Sequence, residues 1–262
     1  MASLSDLLSS PVIKILYIGD SATGKTGSLV SLVEAGYKLR IIDLDNGIKT
    51  LAEYVRHRCP DKLNAVEFIS PRDKYKTTPM GISVSGAPKA FKDTMAALDK
   101  WTDGTEPSKW DPSTILVIDS LTALGKAAYN WFSALNPDVK DKRQVFYSAQ
   151  DAVESVLQNV TADEFGASVI VISHIEYNEE RTKGHASALG KALGPKIPRH
   201  FNNLILAESK GSGENTRRII RTVPTGVVDL KTEAPFRVAK ELPLETGMAT
   251  IFSLLKNESP KS

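Results

Sequence analysis

The chain has 262 residues, enough for one α/β domain with a large core and short for two. Apolar residues make up 41% and charged residues 24%, which excludes a disordered, collagen-like or coiled-coil chain. The net charge of +2 implies no partner by itself, and one cysteine, Cys59, excludes an internal disulfide framework. No apolar run approaches the roughly 20 residues of a membrane span. The N-terminus MASLSDLLSSP lacks a basic region of the secretory kind. The expected location is therefore a reducing compartment, the cytoplasm, with no membrane partner.

In chain order, short β-branched runs mark strands at 12–18, 39–42, 65–69, 114–118, 168–172, 203–207 and 217–222, with 226–230 weaker. The middle runs are almost continuously apolar, as strands covered on both faces are. Helical spacing lies between them. It is clearest over Val145–Val160, and shorter over Phe91–Trp101. Strands alternating with helices predict βαβ units and an α/β fold with a mostly parallel central sheet flanked by helices. Residues 70–88 contain three prolines and two glycines and read as a long loop. The expected organisation is an N-terminal extension at 1–11, one domain over 12–256 and a frayed tail at 257–262.

The first strand runs directly into Gly19-Asp20-Ser21-Ala22-Thr23-Gly24-Lys25-Thr26, which fits G-x-x-x-x-G-K-[ST]. The glycines allow the backbone to curl so that its N–H groups point at an anion, and the following helix adds its N-terminal dipole. Lys25 reaches the β- and γ-phosphates of a bound nucleotide, and the Thr26 hydroxyl serves Mg2+. A second acidic piece is expected at the carboxyl end of a buried strand. Thr114-Ile115-Leu116-Val117-Ile118-Asp119 supplies it, so Asp119 is the second metal-site residue. The alternative for Asp119, capping the helix that begins near Leu121, can be met by Ser120 instead.

Charge is distributed unevenly. Nine Lys/Arg lie between Arg181 and Thr222, opposed within that stretch by Glu208 and Glu214 alone. A near-neutral total thus hides a basic segment on an acidic body. Aromatic residues near it are few, so any nucleic-acid contact there is expected to be led by backbone phosphates.

The Val117-Ile118-Asp119-Ser120-Leu121 stretch, with the Gly19–Thr26 loop, resembles the nucleotide motifs of RecA-like P-loop ATPases. Arg40-Ile41-Ile42-Asp43-Leu44-Asp45 is similar to the second strand of that class, which ends in a carboxylate that activates water; the match falls on Asp45. The pattern is most similar to compact bacteriophage nucleotide-binding proteins of the single-strand-annealing and recombination type. The resemblance implies a RecA-like fold, ATP and Mg2+ as cofactors, and ATP hydrolysis with Lys25, Asp45 and His174 in catalytic roles. His174 stands where recombinases carry a glutamine that senses the γ-phosphate. It also implies single-stranded DNA as partner, and a homo-oligomer with ATP at the subunit interface. Lys191, Lys196 and Arg199 are candidates for DNA contact or for completing a neighbour's site. Bacteriophage origin would place the protein in a host cell's cytoplasm. Asp45 is one methylene shorter than the usual glutamate, which keeps a second reading in view: a nucleotide-gated annealing or loading factor with negligible turnover. A small-molecule kinase would need a lid with paired arginines, and Arg217-Arg218 reads as part of a strand.

Overall fold

A computed structural model describes residues 12–79 and 81–256, so the expectations for 1–11 and 257–262 lie outside the described residues. Six strands are mutually parallel: β1 (Lys14–Gly19), β2 (Lys38–Asp43), β3 (Val66–Ile69), β6 (Thr114–Asp119), β7 (Ser168–Tyr177) and β9 (Asn203–Lys210). The antiparallel β10 (Arg217–Arg221) and β11 (Glu241–Pro243) extend the sheet beyond β9, and β8 (Gly184–Ala186) pairs with the far end of β7. The spatial order is β11-β10-β9-β1-β7-β6-β2-β3. This is the RecA-like P-loop arrangement expected above, with β7 inserted between β1 and β6.

Strand periodicity divides the core into two layers. Leu16, Ile18, Leu116, Ile118, Val169 and Val171 face one side, under α4 (Ala90–Asp99), α5 (Leu121–Leu135) and α6 (Lys142–Thr161). Ile15, Tyr17, Ile115, Val117, Ile170 and Ile172 face the other, under α1 (Lys25–Ser28), α2 (Val30–Glu34), α3 (Ile48–Arg58) and α7 (Leu244–Leu255). With both faces covered, all six residues of β6 are buried, which is why that strand reads as an unbroken apolar run. Trp101 and Trp110 pack edge to face inside the first layer, and Cys59 is buried in the second.

Two local expectations change. Residues 70–88 are not a plain loop: β4 (Tyr75–Thr78) and β5 (Gly81–Val84) form an antiparallel hairpin apart from the main sheet. Tyr75, Thr77, Ile82 and Val84 alternate with polar neighbours in the pairing Tyr75↔Val84 and Thr77↔Ile82, a period-2 signal the flanking prolines obscured. The base of the hairpin is tied down by Asp73, which accepts from the Lys89 and Ala90 backbones and from Asn130. Residues 226–230 form no strand; Val228 makes an isolated bridge to Gly184.

The parallel registers line up the strand ends. Gly19 lies opposite His174, Asp119 opposite Ile172, and Asp43 opposite Asp119. The ends of β1, β6 and β2 therefore form one row with residues 172–174 of β7, and every catalytic and metal candidate of the nucleotide motifs sits on it or just after it.

Candidate nucleotide site

The loop between β1 and α1 turns through left-handed backbone at Ala22 (φ 63°) and Gly24 (φ 90°). At Gly24 the absence of a side chain is enforced twice. Its φ disfavours any L residue, and a Cβ there would lie 2.5 Å from Leu244 Cδ2 of α7. Thr23 Oγ1 donates to the Asp20 carbonyl at 2.8 Å and tightens the turn. Lys25 bends back over the loop, its Nζ donating to the Gly19 carbonyl at 2.9 Å and the Asp20 carbonyl at 2.8 Å. Burial lowers the Lys25 pKa, while Asp119, Asp20 and Asp45 hold it up.

Thr26, the first-turn residue after Lys25, donates its hydroxyl to Asp119 Oδ2 at 2.6 Å. Asp119 is only 3% exposed, and burial pushes its pKa from 3.8 up to about 6, with Asp45 and Asp43 adding to the rise. Thr26 and Lys25 act in the opposite sense. Such a carboxylate calls for a cation beside it. The space next to the pair is kept clear by Gly47, where a Cβ would lie 2.9 Å from both Asp119 Oδ2 and Thr26 Oγ1. Among the described residues no group of three or more His, Cys, Asp and Glu could hold a metal by itself. Two oxygens beside a phosphate loop suit Mg2+, which takes few protein ligands and completes its shell with phosphate and water. Ser120, not Asp119, caps α5: its hydroxyl accepts from the Ala123 backbone.

Asp45 and His174 come together across the row. His174 Nε2 lies 2.8 Å from Asp45 Oδ2, and His174 Nδ1 lies 3.4 Å from Ser21 Oγ of the phosphate loop. Ser120 Oγ donates to the same Asp45 oxygen at 3.1 Å. One side chain on β7 thus links the phosphate loop and the carboxylate after β2. The strand does not stop at His174; it continues to Tyr177 and pairs there with β8. Asp43 has a different environment. It accepts from the Gly47 backbone at 2.9 Å and from Ser70 at 3.3 Å, and pairs with Arg72, so it holds the turn that presents Asp45. Arg72 also donates to Asn46 Oδ1 at 2.9 Å. Neither Arg72 nor Ser120 was anticipated as a site support. Arg72 lies 27 residues from Asp45 with no local motif, and only the fold brings them together.

The basic segment is not the bare cationic strip its composition suggests. Lys183 pairs with Asp229, Lys191 with Glu179 at 3.6 Å, Arg199 with Glu154, Lys210 with Glu241 and Arg221 with Glu208. Four of those five acids lie outside the segment. Lys196 is exposed and makes no ion pair among the described residues. The loop leading to Lys191 does start at the site: the Ser187 backbone donates to the His174 carbonyl at 2.7 Å, and Ser173 Oγ donates to the Ser187 carbonyl. Lys196 and Arg199 follow on a short 3-10 helix, Gly194–His200. No helix among the described residues is long and apolar enough to cross a membrane.

No curated relative matches the sequence. Among solved structures, the chain is similar to the RadB recombinase at 16% identity, with 91% of this chain and 90% of that chain covered and a TM-score of 0.49. It is also similar to the flagellar accessory protein FlaH of Methanocaldococcus jannaschii, at 12% identity, 94% and 95% coverage and a TM-score of 0.44. A KaiC-like protein of Pyrococcus horikoshii matches at 11% identity, 88% and 84% coverage and a TM-score of 0.44. Likenesses this distant say nothing of substrate or partner. The AAA domain family matches residues 12–233, most of the chain. With the Gly19–Thr26 cradle at the head of a mostly parallel sheet, the chain belongs to the AAA domain family and has the RecA-like P-loop ATPase fold.

Proposed function

We propose that the protein binds Mg-ATP on the Gly19–Thr26 loop, hydrolyses it, and couples the cycle to single-stranded DNA in recombination or replication of the bacteriophage type. The observation that carries the hydrolytic part is the Ser21–His174–Asp45 connection beside the Thr26–Asp119 pair. Backbone N–H groups of the loop and Lys25 would cradle the phosphates, with Thr26 and Asp119 holding Mg2+. The ion, when bound, neutralises charge on the phosphoryl oxygens. Asp45 would orient a water for in-line attack and draw its proton, the role a carboxylate at this place can fill. His174, between Ser21 and Asp45, would register the γ-phosphate. A phosphate oxygen at Ser21 would compete with Asp45 for the imidazole and change how tightly Asp45 is held.

The DNA part is supported by the resemblance, the tether between His174 and the Ser187 loop, and the exposed Lys196. Lys191 and Arg199 would have to leave Glu179 and Glu154 to serve a phosphodiester or a neighbour's nucleotide. A second reading, a nucleotide-gated annealing or loading factor with negligible turnover, is favoured by the double hold of His174 and Ser120 on Asp45. Phosphate release from Mg-ATP, with and without a single-stranded oligonucleotide, separates the two. Hydrolysis that rises with DNA supports the first; nucleotide-dependent DNA binding without phosphate release supports the second.

A further inference from the structure

Phe236 has no part in the reading above, yet its side chain is 100% exposed, more than any other large apolar residue described. The backbone that carries it is fixed at both ends. On one side, Lys231 exchanges backbone hydrogen bonds with Leu204 at the start of β9, and Asn203 Oδ1 accepts from the Thr232 hydroxyl and the Glu233 backbone, both at 3.1 Å. On the other, Thr222 donates its backbone to the Lys240 carbonyl at 3.1 Å and its hydroxyl to the Ala239 carbonyl at 2.7 Å. Between these ties the Ala234 carbonyl accepts from the Arg237 and Val238 backbones, closing one turn. Ala234 and Val238 are buried in the second core layer. The turn is thus anchored on either side of Phe236 and holds the ring in water. Leu204 lies opposite Leu16, three residues before Gly19, so the segment joins the sheet at the end remote from the phosphate loop.

The surroundings of the ring are cationic. Lys231, Arg237 and Lys240 are exposed, and their side chains make no ion pair among the described residues. Glu233 alone opposes them between residues 231 and 240, and the next acid, Glu241, is engaged by Lys210 and Arg221. These three cations are therefore less committed than Lys191 and Arg199, which have acidic partners. A lone ring among charges fits a nucleobase better than a protein surface. Phenylalanine offers roughly 150–250 Å², against about 800 Å² per partner in a stable interface, whose centre is depleted of charge. One ring is the unit of base stacking, and free cations beside it suit the phosphates that accompany each base.

We propose that the Phe236 turn is a contact for single-stranded DNA, the ring stacking on a base while Lys231, Arg237 and Lys240 meet neighbouring phosphates. The inference rests on the DNA reading above, and it supplies the aromatic platform that the 181–222 segment lacks.

The test compares two labelled probes on the full chain: oligothymidylate, and an oligonucleotide of the same length made of abasic sites, which has the phosphates and no bases. Phe236→Ala should weaken oligothymidylate about tenfold and leave the abasic probe and Mg-ATP unchanged; Phe236→Trp should keep the parent affinity. Joint replacement of Lys231, Arg237 and Lys240 by Ala should weaken both probes and flatten the salt slope by about 2. Thermal melts matching the parent's establish that the variants are folded. Unchanged oligothymidylate affinity in Phe236→Ala overturns the inference, as does an equal loss for both probes or an unaltered salt slope in the triple variant. Light scattering supplies the remaining arm: a parent assembly that Phe236→Ala dissociates overturns it in favour of a second copy of the chain as the ring's partner. A parent that binds neither probe overturns the DNA reading itself, an outcome distinct from a parent that binds both and is indifferent to Phe236.

Discussion

Replacing Asp119 by Asn should stabilise the protein in the absence of metal, and the gain should depend on pH in a fixed direction. Burial is the main reason the Asp119 carboxyl titrates at about 6 instead of 3.8. The folded chain thus holds this proton more tightly than the unfolded chain does. Between the two values the folded state binds more protons, so stability falls as pH rises through that window. Above about pH 6 the full penalty remains: a shift of about 2 units corresponds to about 3 kcal/mol. Asn keeps an acceptor for the Thr26 hydroxyl and carries no charge. Lys25 loses an attractive neighbour in the exchange, so the net gain at neutral pH should be about 1–3 kcal/mol, or roughly 2–10 °C in melting temperature for a chain of this size. Urea denaturation of parent and variant with a chelator present, from about pH 4 to 8, measures it directly. The two stability curves should converge near pH 4 and separate above pH 6, the variant lying higher. A variant that is less stable at neutral pH, or a difference that does not vary with pH, refutes the account of Asp119 as a buried charge awaiting a cation.

Asp45→Asn should retain Mg-ATP binding and lose hydrolysis, because the amide keeps the shape and lacks the charge that draws the water's proton; phosphate release at the parent rate would make Asp45 only a turn residue. Gly24→Ala should destabilise the protein by about 2–4 kcal/mol, from left-handed strain and overpacking against Leu244, and should weaken ATP as well; chemical denaturation and equilibrium binding check both effects. Joint charge reversal of Lys191, Lys196 and Arg199 should lower oligonucleotide affinity and its salt slope, while ATP binding by the isolated subunit is preserved. An unaltered affinity and slope, read by titrating a labelled oligonucleotide at several salt concentrations, would reduce the segment to a solvated face.

What was legible in the sequence was local. The Gly19–Thr26 loop is one uninterrupted motif, and its strand is marked by a run of apolar residues. Asp119 ends a strand buried on both faces, so its place at the row of strand ends follows from burial and chain direction together. The hairpin at Tyr75–Val84 was hidden because its alternation is short and bracketed by prolines. The pairing of the basic segment was hidden for another reason. Glu154, Glu179, Asp229 and Glu241 are distant in sequence from the cations they meet, and composition over a window cannot see a partner outside the window. The same holds for Arg72, whose grip on Asp43 and Asn46 exists only once β2 and β3 lie side by side.

The most direct measurement of the central claim is thermal melting of the parent and of Lys25→Ala with saturating Mg-ATP. A ligand that binds the folded chain raises its melting temperature by mass action, by about 2.7 kcal/mol of stability at a hundredfold excess over Kd. The account predicts a clear rise for the parent and none for Lys25→Ala, which should still melt cooperatively without nucleotide, at a lower temperature than the parent because the Gly19 and Asp20 carbonyls lose their donor. An unchanged parent melting temperature at saturating Mg-ATP would contradict it.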